Sequence, residues 1–111
     1  MPEKVKLGDV NPGAVEKLPG KVDDKSGIGV HYVDAYLKSF NTKLPDGTAV
    51  KAKRRGLKIT LQAGTKKGDG IMRRLEVSKD PVVMLEAALK EAAKNAGVEL
   101  SIEGNAIYIT P

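Results

Sequence analysis

The chain has 111 residues, 41% of them hydrophobic, with four aromatic residues (Tyr32, Tyr36, Phe40 and Tyr108), no Trp and no Cys. That length suits one domain able to bury a core without disulfides or metal, and the missing Cys excludes a disulfide scaffold, a thiolate metal site and a cysteine nucleophile. The net charge is +5, no apolar run approaches the ~20 residues of a bilayer span, and the first thirty residues lack the apolar stretch of a signal peptide, so the cytoplasm is the expected location.

Residues 1–27 show little periodicity and contain two turn signals, Asn11-Pro12-Gly13 and Leu18-Pro19-Gly20. They read as an irregular N-terminal arm with a short strand at Val5 to Leu7 and a helical turn at Ala14 to Leu18, followed by a single α+β domain over 28–111. Val30, Val33, Leu37 and Phe40 recur at helical spacing, which predicts a helix over 29–41. Leu44-Pro45-Asp46-Gly47 is a turn by its chemistry. Two strands follow. Val50 and Ala52 share one face of the first, and Leu57, Ile59, Leu61 and Ala63 share one face of the second. The apolar parity switches between them, which a straight strand cannot do. A turn or bulge is therefore expected at Arg55-Gly56, where glycine supplies the permissive backbone.

Residues 64–70, Gly-Thr-Lys-Lys-Gly-Asp-Gly, read as a loop, and Ile71 to Val77 as a third strand. Asp80 and Pro81 suit the cap and first position of a helix. Val82, Leu85, Leu89, Ala92 and Ala96 form its apolar stripe, and Gly97 ends it. Leu100, Ile102, Ile107 and Ile109 fall on one face if Gly104-Asn105 turns a terminal hairpin. The order is then α-β-β-β-α-β-β. Its architecture is α+β and two-layered, with two helices packed on one face of a mainly antiparallel sheet.

Few residues suggest catalysis or cofactor binding. His31 is the single histidine, near Asp34, and reads as a surface residue of a helix. One His without Cys does not make a zinc site, and Asp23, Asp24 and Asp34 lack the spacing of a calcium loop. The glycines and lysines of 64–70 lack the Walker spacing and lead into a strand, so no helix N-terminus faces a phosphate there. No catalytic, cofactor or metal residue is assigned.

Charge is the informative feature. Between Lys43 and Arg74 stand ten basic residues and two acids, a net +8, whereas the rest of the chain is net −3. On the strand reading, Lys51, Lys53, Arg55 and Lys58 oppose the apolar face, Lys66 and Lys67 occupy the next loop, and Arg74 joins the same side. With Arg54 these residues form the candidate binding surface for a polyanion such as nucleic acid, held through its phosphates. No aromatic residue is interleaved with them, which favours backbone contact over base stacking.

The central order α-β-β-β-α, over about residues 29 to 97, is similar to that of the double-stranded-RNA-binding domain. Lys90-Glu91-Ala92-Ala93-Lys94-Asn95-Ala96 looks like part of that family's lysine- and alanine-rich helix motif. It stands late in the helix instead of at its start, so the likeness is one of topology and assigns no binding residue. The expected function is a non-enzymatic, nucleic-acid-binding domain. The alternative is an assembly or adaptor module that recruits a protein partner, or a second copy, through an exposed C-terminal edge strand, Ala106 to Thr110.

Overall fold

A computed structural model describes residues 4–16, 28–71 and 81–110. The elements run β1 (Val5–Asp9), α1 (Pro12–Glu16), α2 (Ile28–Tyr36), β2 (Phe40–Lys43), β3 (Ala49–Arg55), β4 (Lys58–Ala63), β5 (Lys66–Ile71), α3 (Pro81–Asn95), β6 (Glu99–Glu103) and β7 (Ala106–Thr110). The protein is mixed α+β. It holds two antiparallel sheets in place of the expected one: a four-stranded sheet in the order β2-β3-β4-β5 and a three-stranded sheet in the order β1-β7-β6.

The four-stranded sheet follows from alternation and two tight turns. Arg55 pairs with Lys58 across Gly56 and Leu57, and Ala63 pairs with Lys66 across Gly64 and Thr65. Gly56 and Gly64 sit at φ 61° and 63°, the left-handed region these turns require. The parity break at Gly56 is thus a hairpin, as the sequence implies. Phe40, Val50, Ala52, Ile59, Leu61 and Ala63 point to one face and are buried beneath α3 and its neighbours. Full burial of an Ile or Leu here contributes about 1.5–3 kcal/mol.

The segment read as a glycine loop is strand β5. Its inward positions are Gly68 and Gly70, which carry no side chain, so the alternation has no apolar signal. The absent side chains let the backbone of α3 lie directly on the strand. A Cβ on Gly68 would stand 2.9 Å from the carbonyl carbon of Asn95, and one on Gly70 2.6 Å from that of Ala88. Leu85, Ala88, Leu89, Ala92 and Ala93, with Ala96 just beyond the last turn, bury the rest of the helix face, so the small residues set a close strand–helix approach. Of the strand expected at Ile71 to Val77, Ile71 closes β5, and the remainder lies outside the described residues, as does Asp80.

The first long helix is shorter than its periodicity implies. It ends at Tyr36, and Phe40 opens β2. Phe40 keeps the apolar spacing but satisfies it as a strand residue opposite Ala52. Four strands therefore separate α2 from α3, where the double-stranded-RNA-binding likeness implies three. The N-terminal segment is not irregular throughout: it supplies β1, which buries Leu7, and α1, which buries Val15. Val10 bridges to Leu37, and the Asn11 N–H donates to the carbonyl of Tyr36 at 3.0 Å, tying this segment to α2.

The terminal hairpin has the expected register, Leu100 with Ile109 and Ile102 with Ile107. Its final strand is not an edge, however. β7 lies between β6 and β1, so its backbone is paired on both sides. The addition of a partner strand at Ala106 to Thr110 is therefore blocked by β1, which sequence alternation could not place. Among the described residues no helix is long and apolar enough to cross a membrane.

Candidate functional site

The outer face of the four-stranded sheet is read directly from its register. Asn41, Lys51, Gln62 and Lys67 form one row across β2 to β5, Lys53, Thr60 and Asp69 the next, and Arg55, Lys58 and Ile71 the last. Neighbouring strands lie about 4.8 Å apart, and alternate residues along a strand are about 6.8 Å apart. Lys51, Lys53 and Arg55 thus stand in a line along β3, all exposed. None of these three forms an ion pair with a described residue. A groove of about 320 Å³ runs over this line, bordered by Lys51, Lys53, Arg54, Arg55, Thr60 and Gln62.

One carboxylate shares the face. Asp69 pairs with the Lys58 ammonium at 2.8 Å and accepts a hydrogen bond from the Thr60 hydroxyl at 3.1 Å. The hydrogen bond from Lys58 is the main reason its carboxyl is held below the ordinary range; the Thr60 hydroxyl and the charges of Lys58 and Lys67 act in the same direction. Asp69 stays ionised and offsets Lys58. The positive field is therefore lopsided, strongest on β3 and weakest where β4 meets β5.

The expected site residues separate into three groups. Lys51, Lys53, Arg55, Lys58 and Lys67 share the outer face. Arg54 and Lys66 have the opposite parity. Arg54 turns to the helix side, where its Nε donates to the Asp34 carboxylate on α2 and a second guanidinium nitrogen reaches the Gly56 carbonyl at 3.4 Å. It borders the groove with its charge already engaged. Lys66 extends beside Gly97 at the C-terminal end of α3, where free helix carbonyls favour a cation. Arg74 lies outside the described residues. Sequence reasoning missed Asn41, Lys43 and Asp69 as members of the face, and β5 could have been found from Lys67, Asp69 and Ile71 alternating with Gly68 and Gly70.

His31 is exposed on α2. Among the described residues no group of three His, Asp or Glu side chains is placed to hold a metal ion. Comparison with protein-family models, curated proteins and solved structures gives no match.

Proposed function

We propose that this chain is a non-enzymatic binding domain that takes a polyanion, nucleic acid, on the outer face of the β2–β5 sheet through contacts to the phosphate backbone. One observation carries the reading: Lys51, Lys53 and Arg55 are exposed, aligned and free of acidic partners among the described residues, whereas the carboxylate on the same face is committed to Lys58. An ordinary solvated sheet face mixes charges of both signs. Here six basic residues, counting Lys43, Lys58 and Lys67, share a face with Asp69 as its single acid among the described residues.

Lysines act on phosphates as point charges, and Arg55 adds a planar fork able to grip two phosphate oxygens. Each contact releases condensed counterions, so affinity falls with salt. Fluorescence anisotropy with labelled oligonucleotides tests this. For three to five contacts to a single strand, raising salt from about 50 to 200 mM weakens binding by about twenty- to a hundredfold. Binding that is absent at low salt, or indifferent to salt, refutes the proposal.

A further inference from the structure

We infer that the occupant of this face is one extended nucleic-acid strand laid along β3, and not a duplex; the inference rests on the polyanion reading above. Three of the five cations on this face that form no ion pair with a described residue stand in a single line, and the other two, Lys43 on β2 and Lys67 on β5, flank it. Lys51, Lys53 and Arg55 occupy alternate positions of one strand, with steps of about 6.8 Å and a total reach of about 14 Å. Successive phosphates of an extended strand recur at a comparable step, so each of three cations can meet one phosphate.

A duplex needs a second line. Its phosphates flank a groove about 12 Å or about 6 Å wide, so a protein face that reads both backbones carries cations in two tracks. To one side of β3, β2 adds Lys43 but lies only about 4.8 Å away, nearer than either groove width; to the other side the next strands lie about 4.8 Å and about 9.6 Å away. On β4 the face offers Lys58, Thr60 and Gln62, and on β5 it offers Lys67, Asp69 and Ile71. Lys58 is held by Asp69. The more distant track therefore contains one free cation, one carboxylate at its centre and one isoleucine that is 49% exposed. A second backbone on that track would bring a phosphate against Asp69.

The groove supplies the remaining chemistry. Thr60 and Gln62 pair across from Lys53 and Lys51, so a hydroxyl and an amide lie beside the cation line. The Thr60 hydroxyl donates to Asp69 and keeps its oxygen as an acceptor, and the Gln62 amide donates one hydrogen to the Gly64 carbonyl and keeps its second hydrogen and its oxygen. A single strand leaves its sugar and base edges open to such groups, and a duplex has its base-pairing edges already occupied. With no aromatic residue among the described residues of this face, contact depends on charge and hydrogen bonding, and the phosphate contacts carry no sequence information.

The test compares a labelled single-stranded 12-mer, as DNA and as RNA, with the duplex of the same sequence, each titrated over a series of salt concentrations. The wild type is expected to bind the single strands more tightly than the duplexes. In Lys51→Gln/Lys53→Gln/Arg55→Gln, whose three sites are exposed, the slope of log K against log salt for the single strand becomes shallower by about 2, at about 0.7 per lost contact. Lys90→Gln/Lys94→Gln, on exposed positions of α3, leaves that slope unchanged. Asp69→Asn removes the central carboxylate and narrows the preference by strengthening duplex binding. Salt-dependent binding with the duplex equal or preferred overturns the single-strand inference and leaves the polyanion reading standing. An unchanged slope in the triple variant overturns the assignment to β3. Absence of binding to every oligonucleotide overturns both.

Discussion

Gly70→Ala probes the contact that holds α3 against the four-stranded sheet. The new Cβ would stand 2.6 Å from the carbonyl carbon of Ala88 and 3.1 Å from its Cα, and closer still to its oxygen. Carbon atoms in contact sit about 3.5–4.0 Å apart, so α3 must retreat by about 1 Å. The obstacle is helix backbone and cannot be relieved by a rotamer change. Leu85 and Leu89, both fully buried on α3, each make roughly 40–60 atom contacts worth about 0.1–0.2 kcal/mol apiece. If half face the sheet and a quarter of that attraction is lost, each leucine gives up about 1 kcal/mol. With the neighbouring alanines the cost is about 2–3 kcal/mol, within the usual range for overpacking. For a domain of this size the corresponding fall in Tm is about 10–20 °C. Urea and thermal melts followed by circular dichroism measure it. Gly13→Ala is the control, because a Cβ there meets no atom within 4 Å; it is expected to match the wild type or gain up to about 1 kcal/mol. If Gly70→Ala and Gly13→Ala melt together, the close strand–helix approach is wrong.

The Tyr36 hydroxyl is buried without a hydrogen-bond partner among the described residues. Tyr36→Phe is therefore expected to stabilise the fold by about 1 kcal/mol in urea melts, and a loss of that size would contradict the burial. Burial first, and the charge of Glu86 second, raise the Tyr36 phenol above its ordinary 10.0. Its neutral form thus supports the fold fully below 10.0, and that support is lost as pH climbs from there toward the folded pKa. Tyr36→Phe should flatten the alkaline limb of the stability curve. Asp69 works in the opposite sense: its folded pKa is depressed below 3.8, so its contribution is present above 3.8 and disappears as pH falls through the folded value. Urea midpoints followed into acid should decline less in Asp69→Asn than in the wild type, and superimposable profiles would remove the Lys58 pair from the account. Asp34→Asn frees the Arg54 guanidinium beside the groove. Stability should change by less than about 1 kcal/mol, as for other solvent-exposed pairs, while oligonucleotide binding becomes tighter and more salt-dependent; weaker binding in anisotropy titrations would contradict this.

Where side chains alternate, the sequence discloses the fold. Val50, Ala52, Ile59 and Leu61 mark two strands, and the switch in their parity locates the hairpin at Gly56. The stripe of Leu85, Leu89, Ala92 and Ala96 marks α3, and Ile107 and Ile109 fix the last register. Legibility fails where burial is achieved without an apolar side chain. Gly68 and Gly70 are inward-facing because they have no Cβ, and composition alone assigns such residues to a loop. It fails again at Phe40, whose spacing from Leu37 fits a helix although the chain has already turned into β2. Pairing of β1 with β7 is a long-range choice, and local patterning does not specify it.

The candidate face was legible in the same uneven way. Lys51, Lys53 and Arg55 follow from alternation within β3. Arg54 cannot share their side, and its engagement by Asp34 depends on where α2 packs. Asp69 joins the face through β5, a strand whose glycines read locally as a loop, and it is the residue that makes the field lopsided. The run of five basic residues between Lys51 and Lys58 thus resolves into three free cations, one held by Asp69 and one turned toward α2.

The most direct measurement is an amide chemical-shift titration of the isotope-labelled protein with a short single-stranded oligonucleotide at low salt. Shifts concentrated on β3 and β4, at Lys51, Lys53, Arg55, Thr60 and Gln62, and reversed by added salt, are the predicted result. Shifts concentrated on the β1-β7-β6 sheet, or a spectrum unchanged by the oligonucleotide, would contradict the assignment of this face as the binding surface.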